Sequence, residues 1–279
     1  FKGNKLNLKC NELNKIVGSE TFNGSLFLLP KDCRLTEFTL EGISNIQGDF
    51  QCIDYFYVKE FVMPFIRVAG DMTIALNSGS VNTAAEIEFP KLQEIGGTLT
   101  LGTNRNANNI TFPLLKKILG SCSVTTYKLK NDIEFTNLES IGTDGADAQI
   151  KFEIEATNIL CPKLKTINGK FDIATSSFMF DMEVDKVSYP NVESISENLS
   201  ITCPYSDFGS NGILSIDFSG LKSAKGISIS GQGDVTDFSS FKYLFENNVL
   251  TGESQWSVKE CGYNPTFQEM KDGKYKLAE

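Results

Sequence analysis

Asp181, Glu183 and Asp185 are the residues of this chain whose type and spacing come closest to chemistry. The run 178–185 alternates, so as a strand it sets the three acids on one face and Phe180, Met182 and Val184 on the other. Carboxylates two positions apart on a strand lie ~7 Å apart, a separation at which they can share a hard cation or flank a glycosidic bond. The plainer account is a solvated acidic face opposite an apolar one, which is ordinary amphipathic patterning. A second acidic stretch, Thr143-Asp144-Gly145-Ala146-Asp147-Ala148-Gln149, lacks the D-x-D-x-D-G order of a calcium loop and reads as a turn.

The sequence contains no histidine. That removes Ser-His and Cys-His nucleophile pairs, the HExxH zinc site and the imidazole general base together. GxGxxG, GxxxxGK[ST] and CxxC are absent as well. No catalytic, cofactor or metal site is therefore assigned, and the expectation is a protein that is not an enzyme. A net charge of −9 argues against nucleic acid and anionic membrane surfaces as partners, since phosphate binding wants clustered Lys and Arg. The longest apolar stretch, residues 55–76, is interrupted by Lys59, Glu60, Arg67 and Asp71, short of the ~18 uninterrupted apolar residues of a membrane span. The chain opens at Phe1 with neither an initiator Met nor a signal peptide, as expected of a mature or trimmed secreted fragment whose anchor has been cut away.

The elements that would have to position any site belong to a repeat. Ile87-Glu88-Phe89-Pro90-Lys91-Leu92 leads through Ile95 and Gly97 to Leu99 and Leu101, and the phrase returns with Phe112-Pro113, Phe135, Cys161-Pro162, Tyr189-Pro190 and Phe218 at the aromatic position. Earlier copies lie at Met63-Pro64 and around Ile43 to Cys52. Steps in the ~20–50 residue range mark solenoids and arrays. Each copy holds two alternating runs, Ile-x-Phe before the Pro-x-Leu-x-x-Ile corner and Leu-x-Leu after the glycine, so two short strands per coil are expected. Proline suits a corner that needs no N–H, and glycine is assigned to positive φ in the turn into the second strand. Stacked coils then form an all-β, right-handed parallel β-helix with capped ends. At 279 residues and 41% hydrophobic the chain reads as one domain, with a cap and first coil over residues 1–40, coils over 41–245 and a C-terminal cap over 246–279.

The repeat frame sorts the seven cysteines. Cys52, Cys122 and Cys161 take inward positions and read as buried thiols. Cys10 and Cys33 bracket the first strand-like run outside the repeat proper, where an end cap needs a staple, and are expected to be bonded. The odd total leaves at least one cysteine unpaired or paired elsewhere, with Cys261 expected to lack an internal partner. Sequons for N-glycosylation stand at Asn23, Asn109 and Asn198, while Asn264 is blocked by Pro265.

The phrase Phe89-Pro90 with Leu92, Ile95 and Gly97, and its equivalents along residues 13–243, resembles the receptor L domain, the leucine-rich β-helix of insulin-receptor and EGF-receptor ectodomains. It is still more similar to the fungal cell-wall-organisation and sporulation-specific glycoproteins. That resemblance implies a fold of the L-domain type, secretion, glycosylation and a glycosylphosphatidylinositol anchor on the full-length protein. The chain departs from it in longer coils at 142–149 and 175–186 and in having no Ser/Thr-rich stalk or hydrophobic tail after Glu279. No second L domain, Cys-rich furin-like segment or kinase is present, which weakens the growth-factor-receptor branch. The leading expectation is a non-enzymatic glycoprotein of the cell surface or wall, a scaffold or adhesion surface whose partner is wall glycan or a surface protein. A ligand-binding ectodomain for a peptide or protein is the alternative, with Tyr55, Phe56, Tyr57 and Phe61 as the aromatic candidates, because interface hot spots favour aromatics. A carbohydrate-active β-helix enzyme using Asp181 with Glu183 or Asp185 is the third.

Overall fold

The computed structural model describes residues 5–8, 15–28, 37–53, 60–77, 85–104, 107–127, 132–145, 148–154, 158–175, 186–203, 215–231 and 235–278. They form a parallel β-solenoid. A coil carries three strands rather than two: Ala85–Glu88, Glu94–Ile95 and Leu99–Asn104, then Ala107–Thr111, Lys117–Ile118 and Cys122–Tyr127. The additional strand is a two-residue bridge after the Pro-x-Leu corner, too short to leave an alternating signature.

Equivalent strands stack into three walls. A long sheet of eleven strands runs from Lys5–Leu8 to Trp256–Lys259, an eight-stranded sheet of the short bridges from Thr21–Phe22 to Ser194–Ile195, and a seven-stranded sheet from Lys15–Val17 to Ile159–Leu160. Lys186–Ser188 and Ser215–Asp217 form a separate two-stranded sheet. Register follows the repeat, Leu99 facing Cys122, then Ile150, Phe171, Leu199, Ile227 and Trp256. The long sheet therefore extends into both stretches that the sequence marks as caps.

The corners from Phe89 onward close in one way. The N–H four positions into the phrase donates to the carbonyl of the column residue, Leu92 to Phe89 at 3.3 Å, Leu164 to Cys161 at 3.1 Å and Val192 to Tyr189 at 3.2 Å, and Leu138 to Phe135 at 3.2 Å where Thr136 stands in place of proline; at the earlier Met63-Pro64 corner the Ile66 N–H goes instead to the Ser44 carbonyl. Proline's fixed φ favours the second place of such a turn. Leu92, Leu115, Leu138, Leu164 and Val192 are wholly buried in one interior column.

Gly142, in the copy before Ala148–Ile154, takes the positive φ the sequence suggests, at 80°, but four other glycines before the long-sheet strands are needed for a different reason. Gly48, Gly70, Gly97 and Gly120 do not take positive φ. Instead their backbones form a ladder, Gly70 N–H to Gly48 carbonyl, Gly97 to Gly70 and Gly120 to Gly97, each at 3.0 Å. A Cβ on Gly120 would stand 2.7 Å from the Gly97 carbonyl carbon.

Trp256 closes the C-terminal end. Its ring packs edge-on against Phe245 at 5.1 Å and Phe241 at 5.7 Å, and its indole N–H donates to the Pro265 carbonyl at 2.8 Å. Helices Lys242–Glu246 and Phe267–Lys271 contribute Phe245, Phe267 and Met270 to this plug. Thr266 caps the second helix in a reciprocal box with Glu269. No described helix is long and apolar enough to cross a membrane.

Candidate functional site

The acidic row Asp181, Glu183 and Asp185 lies outside the described residues, as do Tyr55, Phe56, Tyr57, Cys10 and Cys33. Phe61 sits in the strand Glu60–Val62, its backbone in register with Ile87. Asn23 and Asn198 are exposed, Asn23 in a turn and Asn198 at the first residue of a strand, while Asn109 pairs through its backbone with Glu86. Thr143, Asp144 and Gly145 form an exposed turn. Among the described residues no group of three or more Cys, Asp or Glu is placed to hold a metal ion.

Two outer surfaces are regular. Thr73, Thr100 and Ser123 share one register row of the long sheet, which passes Lys151 and Asp172 and continues through Ser200, Ser228 and Ser257. Their neighbours Ile74, Leu101, Val124, Ile201 and Ile229 are buried, so the row faces outward by strand alternation. At the corner after the interior Leu column, Lys116, Glu139, Lys165, Glu193 and Lys222 succeed one another through N–H to carbonyl bonds of 2.8–3.0 Å. The Lys222 ammonium donates to Glu193 at 3.0 Å and, with Lys165, holds the Glu193 carboxyl below its ordinary range.

The least regular place is one the sequence reading passed over. Phe89, Phe112 and Phe135 stack face to face with ring centroids 5.0 Å apart. The next two column residues are Cys161 and Tyr189, and between their coils the seven-stranded sheet stops: Ile159–Leu160 does not pair with Lys186–Ser188. The other walls cross the same level intact, Phe171 facing Leu199 and Thr166 facing Ser194.

Tyr189 lies at the break. Its ring is buried against Phe171 at 5.4 Å and Phe218 at 5.7 Å, and a buried phenol requires a hydrogen-bond partner. It donates to the Ile159 carbonyl at 3.0 Å, an acceptor that a continuous parallel ladder would offer to the Ser188 N–H. A cavity of about 130 Å³ opens there, lined by Asn158, Ile159, Leu160, Lys186, Val187, Ser188 and Tyr189. On its rim Lys186 lies 3.7 Å from Asp217, and the Asn158 N–H donates to Asp132 at 2.7 Å.

Burial pushes the Cys122 thiol up to about 12 and the Cys161 thiol well above its usual value; burial, then the charges of Cys161 and Cys122, does the same to the Tyr189 hydroxyl. These groups stay protonated and act as neutral packing and hydrogen-bonding groups. The signal in the sequence was the replacement of Phe by Cys and then Tyr in the aromatic column, next to the long coil at 175–186. Comparison of the chain with protein-family models, curated proteins and solved structures finds no match.

Proposed function

We propose that the protein is a non-enzymatic glycoprotein of the cell surface or cell wall that works as a scaffold and binding surface, with coils wound right-handed in the manner of the receptor L domain. The observation that carries this reading is the outer face of the long sheet, where Thr73, Thr100 and Ser123, and beyond Lys151 and Asp172 again Ser200, Ser228 and Ser257, stand in register on a rigid wall. A row of hydroxyls interrupted by one cation and one anion, with no net charge, suits glycan or another surface protein better than it suits a charged polymer. Exposed Asn23 and Asn198 offer acceptor sites for secretory glycosylation, and Asn109 is the third sequon. Localisation is extracellular, through a glycosylphosphatidylinositol anchor on the full-length protein.

The test is co-sedimentation of the secreted protein with isolated wall polysaccharide, together with deglycosylation of the Asn23→Gln and Asn198→Gln variants. Retention in the pellet that is lost when Thr100, Ser123 and Ser228 are replaced by Glu supports the reading. Hydrolysis of that polysaccharide, abolished by the triple replacement Asp181→Asn, Glu183→Gln and Asp185→Asn, would overturn it.

A further inference from the structure

We propose that copies of this chain dock side by side, the acidic outer row of the seven-stranded sheet of one copy lying against the alternating corner row of the next. The contact leaves the hydroxyl face of the long sheet free and so goes beyond the wall-binding reading: the scaffold extends itself.

Register builds the acidic row. Glu88, Thr111 and Glu134 face one another on successive strands of the seven-stranded sheet. Ile87, Phe89, Ile133 and Phe135 on either side of the two glutamates are buried, so both carboxylates point outward by strand alternation. Glu86 stands two residues before Glu88 on the same face, and Asp132, two residues before Glu134, accepts the Asn158 N–H at 2.7 Å. Acid pairs thus occupy alternate coils, and the coil between them carries the uncharged Asn109 and Thr111.

The corner row has the opposite order. Lys116, Glu139 and Lys165 are exposed and follow one another coil by coil, with Lys117 and Lys163 beside the two lysines. Here cation pairs occupy alternate coils, and an acid stands between them. Lys165 lies 3.9 Å from Glu193 within the chain, an exposed contact that a closer carboxylate readily replaces.

Both rows are measured by the same ruler. Alternate coils lie two strand spacings apart, ~9.5 Å, on every wall of one tube. With the axes of two copies parallel and shifted by one coil, Glu88 meets Lys116, Thr111 meets Glu139 and Glu134 meets Lys165. A uniform polyanion would press a negative charge onto Glu139, whereas the acidic row presents a neutral threonine there. That difference selects a second copy over an anionic polymer. Every copy carries both rows, so the contact is heterologous and continues from copy to copy. Exposed ion pairs are individually weak, which makes it reversible and sensitive to salt.

Asn109 belongs to a sequon in the middle of the acidic row, and a glycan there would hold two copies apart, so every chain in the experiment carries Asn109→Gln. Sedimentation equilibrium follows the mean mass from about 10 μM to about 1 mM protein. We expect it to rise past that of a dimer, and association to weaken about tenfold or more between about 50 and about 500 mM NaCl. Lys116→Glu with Lys165→Glu makes both rows acidic, and Glu88→Lys with Glu134→Lys makes both basic. Each of these chains alone should associate about tenfold more weakly, and an equimolar mixture of the two should regain the association of the unaltered rows. The salt series needs neither variant, so misfolding of one does not blunt it. A chain that stays monomeric to about 1 mM at low salt, or whose association ignores salt, overturns the proposal. So does a mixture of folded variants that fails to regain association. Binding of polyglutamate by a chain that stays monomeric would assign the lysines to a foreign acidic partner and overturn it as well. Wall co-sedimentation depends on a different face and judges the wall-binding reading separately.

Discussion

The coils of Phe89, Phe112 and Phe135 and the junction of Cys161 with Tyr189 use the same column position to opposite effect. In the first region flat rings repeat at 5.0 Å, so the spacing of the side chains and the spacing of the backbones agree and all three walls continue. In the second a thiol is followed by a phenol, whose hydroxyl takes a main-chain carbonyl. One wall parts while two hold. The backbone ladder of this solenoid is therefore not uniform along its core: one wall stops at the level where a buried hydroxyl takes a main-chain carbonyl.

The strongest way to break the contrast is to damage the regular region. Phe112→Ala should cost about 3–5 kcal/mol, the usual result of emptying a large aromatic site, read by denaturant unfolding. The cost should exceed that of removing only the Tyr189 hydroxyl at the junction, which leaves the ring in the core. Gly120→Ala comes next, at about 1–3 kcal/mol, because the added methyl meets the Gly97 backbone at 2.7 Å and the neighbouring coil cannot retreat. A Gly120→Ala protein as stable as the parent would remove close backbone approach as the reason for the glycine column.

Tyr189→Phe sharpens the comparison by converting the junction toward the regular state. Loss of the hydroxyl should cost about 1 kcal/mol or less. The Ile159 carbonyl then becomes available to the Ser188 N–H, and exchange of the Ser188 amide should slow. An unchanged amide would show that some other feature holds the wall open.

Alkali separates the regions by their buried acids. Cys122, pushed up to about 12, stays protonated in the native chain when an unfolded thiol with its ordinary value of 9.0 has ionised. The unfolded state therefore binds fewer protons, and stability should fall as pH rises above 9. Native Cys122 should resist iodoacetamide at pH 9, and rapid alkylation there would contradict the assignment. The smallest effect belongs to the Glu193–Lys222 contact. Its lowered carboxyl value means that its contribution is present above the ordinary value of 4.5 and lost as pH falls through the native one. Because the pair is exposed, Glu193→Gln should shift the acid midpoint only marginally.

Much of the architecture was legible because it is periodic. Strands found at Leu99–Asn104, Cys122–Tyr127, Gly169–Thr175, Asn198–Cys203 and Gly226–Gly231 follow from alternating apolar residues, and burial of Cys52, Cys122 and Cys161 follows from the repeat frame. The bridge strands were not legible, since a pair such as Glu94–Ile95 has no period to detect. Nor was the true demand on Gly97 and Gly120, because close approach of two backbones separated by one coil leaves the same glycine in the sequence as a positive φ would. The break at Ile159 escaped for a related reason. Tyrosine counts as an aromatic in the column, and whether its hydroxyl finds water or a main-chain carbonyl depends on the tube around it. The acidic row at Asp181, Glu183 and Asp185 and the pair Cys10 and Cys33 fall outside the described residues and stay expectations.

The alternation of Lys116, Glu139, Lys165, Glu193 and Lys222 along one corner has a meaning for assembly. Near-identical coils invite the chain to wind with one turn skipped, because almost any coil can bury its apolar face on almost any other. Such a slip would bring Lys116 onto Lys165 and Glu139 onto Glu193, like charge over like charge, whereas the native order opposes them at each step. The corner works as a parity check on the count of turns: weak at each rung, and sensitive to the odd error that the apolar interior is least able to notice.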